Sequence, residues 1–171
     1  MMLYEKSCMN ILITNDDGIY SPGLAALAKA ALKFGEVHVM APDVERSAAS
    51  HAITAHLPIS YKKASIGVEG IQAFRATGTP ADCAALGLHV TQTDVVLSGI
   101  NMGPNLGNAM WHSGTLAAAK QAVLLGVRGI ALSTPVGKEE PDFEALAPFV
   151  EETLTLLLKD NSLALYNVNF P

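Results

Sequence analysis

Ile11-Leu12-Ile13-Thr14-Asn15-Asp16-Asp17-Gly18 is an apolar, β-branched run that ends abruptly in two adjacent carboxylates and a glycine. A run of this length without polar alternation, bounded by turn residues, suits a strand covered on both faces, and such strands belong to parallel sheets flanked by helices. In open α/β sheets, ligands bind in the crevice beyond the carboxyl ends of the strands. The stretch therefore predicts an α/β fold with Asp16 and Asp17 at that crevice. Two neighbouring carboxylates repel by roughly 1 kcal/mol in water and by about 4 kcal/mol at an effective dielectric near 20. A divalent cation offsets that repulsion, because hard cations such as Mg2+ take carboxylate, amide and hydroxyl oxygens. At this stage the alternative stays open: Asp16 caps a turn, Asp17 is solvated, and Gly18 supplies a positive φ.

Working outward, Ser21-Pro22-Gly23 opens a helix with Leu24, Leu27, Ala28 and Ala31 on one face, closed by Phe34-Gly35. Val37 to Ala41 is a second apolar strand, so a right-handed βαβ unit is complete within about the first forty residues. The polar loop from Pro42 to His51 leaves the same edge and can reach the acidic pair. Short alternating signals between Ile53 and Ala76, broken by Pro58 and Gly67, predict a hairpin in place of another crossover. Thr77-Gly78-Thr79-Pro80 starts a helix through Leu88, and Asp94 to Ser98 is a strand running into the Gly/Asn-rich loop from Gly99 to Asn108. Ser113-Gly114-Thr115 leads into a helix from Leu116 to Leu125, ended by Gly126. A strand from Gly129 to Ser133, a long amphipathic helix from Phe143 to Leu158, and a strand over the last eight residues, Ala164 to Pro171, complete the order. The expected architecture is α/β and three-layer, Rossmann-like, with a mostly parallel central sheet and a small β-hairpin insertion. Residues 1–9 form an N-terminal leader, and 10–171 a single domain.

Composition bounds the function. A chain of 171 residues, half of them hydrophobic and 16% charged, buries one continuous core and is neither disordered nor a coiled coil. The net charge of −5, with no basic run, argues against a nucleic-acid polymer as partner, and none is expected, though a small anion can still meet a local site of opposite sign. Cys8 and Cys83 show neither metal-ligand spacing nor a disulfide framework, which points to a reducing compartment, the cytoplasm. No apolar run approaches the ~20 residues that span a bilayer, and the first residues lack the order of a secretory signal, so no membrane role is expected.

The Ser113-Gly114-Thr115 turn matters because the first turn of a helix has unpaired N–H groups and a positive dipole end, a ready anion site. Ser113 as a plain helix cap, worth about 0.5 to 2 kcal/mol, is the alternative. What favours the anion is the Gly/Asn loop upstream, which emerges from the same sheet edge as the acidic pair. His51 and His112 are the histidines nearest these motifs and are read as surface or outlying groups, while Trp111 is expected to pack under the loop or to stack on a base.

Five ordered blocks carry a resemblance: Asn15-Asp16-Asp17-Gly18; Ala41-Pro42-Asp43 with Glu45-Arg46-Ser47; Gly78-Thr79-Pro80-Ala81-Asp82-Cys83; Ser98-Gly99-Ile100-Asn101 with Gly103-Pro104-Asn105-Leu106-Gly107; and Ser113-Gly114-Thr115. Over about residues 10 to 171 the chain resembles the SurE family, the survival-protein nucleotidases. The resemblance implies a 5′-nucleotidase, acid-phosphatase-like in class, that hydrolyses nucleoside 5′- and 3′-monophosphates and short polyphosphate. It implies one divalent cation per subunit, Mg2+ or Mn2+, held by Asp16, Asp17, Ser47 and Asn101, with Asp16 and Asp17 catalytic. Asn105, Ser113, Gly114 and Thr115 would bind substrate, with Asn108 as a nearby helper. Two carboxylates and one divalent ion sum to zero charge, so a phosphate dianion approaches without net repulsion. The resemblance also implies a homodimer or tetramer. Family members continue past the strand ending in Asn-Phe-Pro into an arm exchanged between subunits, an arm this chain is expected to lack. The stretch Ala109-Met110-Trp111-His112 departs from the acidic and tyrosine residues expected before Ser-Gly-Thr.

Two other classes compete. A receiver-type signalling domain also places an acidic pair after its first strand, but needs an aspartate ending its third strand, and Asp94 begins its strand. A haloacid-dehalogenase-like phosphatase needs two aspartates separated by one residue, and Asp16 and Asp17 are adjacent. A nucleotide-binding module without catalysis is a further alternative.

Overall fold

An uninterrupted apolar run has one stable home, between two strands and two helical layers, and that is where the first strand lies. In the computed structural model, which describes residues 8–171, β1 (Met9–Thr14) pairs in parallel with β2 (Gly35–Pro42) on one side and β5 (Val95–Met102) on the other. The leader expected at the start of the chain lies outside the described residues over 1–7. Helices α1 (Pro22–Ala31) and α4 (Phe143–Leu157) cover one face of the sheet, and α2 (Pro80–Val90) and α3 (Gly114–Leu124) the other. β3 (Tyr61–Ala64), β4 (Gln72–Ala76), β6 (Arg128–Thr134) and β7 (Leu165–Asn169) complete seven strands in the order β3-β4-β2-β1-β5-β6-β7, parallel throughout except for the β3–β4 pair.

Strand alternation divides the core. Ile11 and Ile13 point toward α1 and α4, where Leu24, Leu27, Leu146, Val150 and Leu154 meet them, each such side chain contributing about 1.5–3 kcal/mol on burial. Leu12 points the other way, to Cys83, Ala84, Ala118 and Ala122. That second layer is built from small residues and lies close to the sheet: a Cβ at Gly129 of β6 would stand 2.1 Å from the Ala119 carbonyl oxygen of α3.

The hairpin expected between Ile53 and Ala76 forms, and it belongs to the central sheet. β4 lies parallel to β2, so the chain crosses over between them, and β3 folds back antiparallel at the edge. Exposed Lys62 and Lys63 keep that edge from pairing further. β5 runs beyond the expected end at Ser98 to Met102. Its register against β6 shifts between Ser98 and Asn101, the kind of irregularity that re-aims side chains at a sheet rim. No helix among the described residues is long and apolar enough to cross a membrane.

Candidate active site

The turn after β1 is built by Asn15. Fully buried, it accepts a hydrogen bond from the Gly18 N–H at 3.2 Å and donates its amide to the Gly18 carbonyl at 2.9 Å. Gly18 has φ +96°, and a Cβ there would press to 3.2 Å from the Val44 carbonyl carbon, so glycine is required on both counts. The loop after β2 is stitched to this turn: Ile19 N–H donates to the Pro42 carbonyl at 2.8 Å and Arg46 N–H to the Asp16 carbonyl at 2.7 Å. The expected contact between that loop and the acidic pair is thus a main-chain one.

Asp16 is 5% exposed and Asp17 half-buried. Burial raises the Asp16 pKa, against the pull of the Thr115 hydroxyl, which donates to its Oδ1 at 2.6 Å. Burial, and then the charge of Asp16 beside it, pushes Asp17 up to about 6. A weak donation from the Met102 N–H at 3.4 Å offsets only part of this. Glu45, to which the motifs gave no role, adds to the negative potential on both acids. Among the described residues no three carboxylates, imidazoles or thiolates converge as a metal cluster, and the other candidate donors named by the motifs, Ser47 and Asn101, are neutral oxygens.

Such oxygens stand on the flanking loops. Ser47 is exposed after β2, its hydroxyl donating to Glu45 Oε1 at 2.6 Å. Asn101, near the end of β5, donates its amide to the Gly103 carbonyl at 2.6 Å, next to the Met102 N–H that faces Asp17.

The first turn of α3 reaches the same place. Ser113 caps the helix, accepting from the Leu116 N–H at 3.1 Å, so the capping reading holds in its geometry. Gly114 lies against the acid: a Cβ there would come to 2.7 Å from the Asp16 Cβ. Thr115 then bonds to Asp16. A helix N-terminus and the paired carboxylates, 99 positions apart in sequence, therefore share one side-chain contact.

Other groups lie differently from the sequence reading. The Asn105 side chain turns inward, donating to Ser133 Oγ at 2.9 Å, with Thr115 Oγ1 at 3.4 Å. Asn108 falls within a short 3-10 helix, Gly107–Trp111, which the sequence did not announce. Trp111 on it is 75% exposed and does not pack under the loop. His51 Nε2 is 2.8 Å from Gln121 Oε1, and His112 is exposed while its carbonyl accepts from the Ser50 N–H. Asn167 and Asn169 of β7, unremarked in sequence, grip the main chain of Asn105. A cavity of about 470 Å³ at the opposite edge, bordered by Met9, Asp94 and Arg128, holds none of these groups.

Known proteins resemble this chain in sequence and in fold. The chain is 45% identical over 168 residues to a protein of Thermus thermophilus named 5′-nucleotidase SurE 1, covering 95% of this chain and 66% of that one. It is 43% identical over 166 residues to 5′-nucleotidase SurE of Deinococcus radiodurans, covering 94% and 62%. The crystal structure of the SurE protein from Aquifex aeolicus superposes with a TM-score of 0.82 at 38% identity, covering 95% of this chain and 66% of that one. The chain thus spans just under two thirds of the length of these relatives. The model of the family described as survival protein SurE matches residues 11–171, the stretch from the first apolar strand to the end, and on that match the chain belongs to the SurE family.

Proposed function

We propose that the chain is a metal-dependent phosphomonoesterase acting on nucleoside 5′- and 3′-monophosphates, with short polyphosphate as a further substrate. The observation that carries the reading is the 2.6 Å bond between Thr115 and Asp16, which joins an anion-binding helix terminus to a pair of acids that need a cation. The names of the relatives, 5′-nucleotidase SurE, support the substrate class.

The donor chemistry fits a hard divalent ion, Mg2+ or Mn2+, one per subunit. Burial, and for Asp17 also the charge of Asp16, raises the pKa of both acids, a cation beside them stabilises their charged forms, and all four candidate ligands, Asp16, Asp17, Ser47 and Asn101, offer oxygen. A divalent cation held there supplies the polarised phosphoryl oxygen and the activated water that phosphomonoester hydrolysis needs. The rest is the work of the chain. Asp16 and Asp17 would balance the ion's charge, so that a phosphate dianion approaches without the repulsion of the bare pair of acids. The first turn of α3, Ser113 to Thr115, would offer its N–H groups and positive dipole end to the phosphate oxygens and so hold the ester at the acids. The free cysteines, Cys8 exposed and Cys83 buried, support a reducing compartment, which we take to be the cytoplasm. Assembly as a homodimer or tetramer belongs to the same proposal, and light scattering in solution tests it.

The deciding experiment measures phosphate release from adenosine 5′- and 3′-monophosphate with Mg2+ or Mn2+. In Asp16→Asn and Asp17→Asn, release is expected to fall by more than about 100-fold, since a charged ligand matters more than the ~10–100-fold of an outer partner. Unchanged hydrolysis in both variants refutes the site. Nucleotide binding without hydrolysis by the unaltered chain favours a binding module instead.

A further inference from the structure

Asp16 is not free to present both of its oxygens. Oδ1 accepts the Thr115 hydroxyl proton at 2.6 Å, so that hydroxyl can only accept in turn, and the nearest donor is Asn105 Nδ2 at 3.4 Å. The same amide donates to Ser133 Oγ at 2.9 Å, and Asp16, Thr115, Asn105 and Ser133 are all buried. The main chain of Asn105 is held from β7: its N–H donates to Asn169 Oδ1 at 2.8 Å, and its carbonyl accepts from Asn167 Nδ2 at 2.9 Å. The last strand thus fixes the main chain of Asn105, whose side chain lies toward Thr115, and Thr115 donates to the carboxylate that follows the first strand. On the other side of Asp16, Oδ2 faces the backbone of Gly114, where a Cβ would stand 3.0 Å away.

We infer that Thr115 and Asn105, anchored by Asn167 and Asn169, are positioning residues that make Asp16 offer one oxygen, Oδ2, to the cation. The inference rests on the metal-dependent reading above and adds a reason for ion choice. Mg2+ and Mn2+ are small, and Mg2+ demands near-octahedral geometry, which a one-oxygen carboxylate suits. Ca2+ is larger and accepts a carboxylate through both oxygens. A carboxylate with Oδ1 tied to Thr115 favours the small ion, and releasing Oδ1 removes that preference.

The test is calorimetric binding of Mn2+ and of Ca2+ to the intact chain. In Thr115→Val, which keeps the shape and loses the proton, Mn2+ affinity is expected to fall by about 10–100-fold, as for loss of an outer partner of a metal ligand. Ca2+ affinity falls less, so the ratio between the ions narrows. Thr115→Ser retains the donor and is expected to keep both affinities, while Asn169→Leu shifts the ratio in the same direction by a smaller factor. Unchanged Mn2+ affinity in Thr115→Val, an equal loss of both ions, or the same loss in Thr115→Ser overturns the inference. An unaltered chain that binds Mn2+ yet releases no phosphate from nucleotides refutes the nucleotidase reading and leaves the positioning intact. One that binds no Mn2+ refutes both.

Discussion

The two faces of the sheet are built on different plans. Toward α1 and α4 the chain uses large aliphatic side chains, Ile11, Ile13, Leu24, Leu27, Leu146 and Leu154, in the larger core. Toward α2 and α3 it uses mostly Ala and Cys with glycine at the approach, and the α3 backbone lies almost on β6. The thick face supplies transfer free energy. The thin face sets where α3 begins, and hence where Gly114 and Thr115 meet Asp16. Stability and site placement are therefore separable properties, carried by opposite layers.

Four changes sharpen or break that division. Leu154→Ala empties a fully buried position on the thick face and is expected to cost about 2–5 kcal/mol in denaturant unfolding, with Mn2+ affinity unchanged. If metal binding declines with it, the two faces are not independent. Gly114→Ala on the thin face forces a Cβ to within 2.7 Å of the Asp16 Cβ. It is expected to cost less stability, about 1–3 kcal/mol, while weakening Mn2+ binding and nucleotide hydrolysis together. Ser113→Ala removes the cap of α3 and should lower stability by about 0.5–2 kcal/mol, seen as a lowered melting temperature.

The smallest effect concerns pH. The folded pKa of Asp17, about 6, lies above its ordinary 3.8, so the folded chain binds that proton more tightly than the unfolded one. This contribution is fully present below about pH 4 and is lost as pH rises through about 6, a change of about 1 kcal/mol or less after solvent screening. Unfolding midpoints of the metal-free chain should show the decline, and saturating Mn2+ should remove it.

Periodicity and turn chemistry announced the strands and long helices because each buried face repeats locally. Leu24, Leu27, Ala28 and Ala31 read as one face in sequence and are all buried. What local pattern could not carry was partner choice. Nothing between Ile53 and Ala76 reveals that β4 runs parallel to β2, because register depends on neighbours far along the chain. The sequence pattern ends β5 at Ser98, where a Gly/Asn-rich loop starts, whereas pairing with β6 carries the strand on to Met102. In the site, Asp16, Asp17 and the Ser113–Thr115 turn stood out by residue type and place. Thr115 as the partner of Asp16, and Asn167 and Asn169 as the anchors of Asn105, did not, since a hydrogen bond across the sheet leaves no local mark.

The order of the strands puts β1 fourth of seven, three neighbours in from either edge. Opening fluctuations start where pairing is one-sided and lose amplitude inward, so amides of Ile11 to Thr14 should be among the last to exchange with deuterated solvent. The carboxylates are thus suspended from the most persistent segment of the molecule, and fraying at β3 can come and go while the acid turn stays in place.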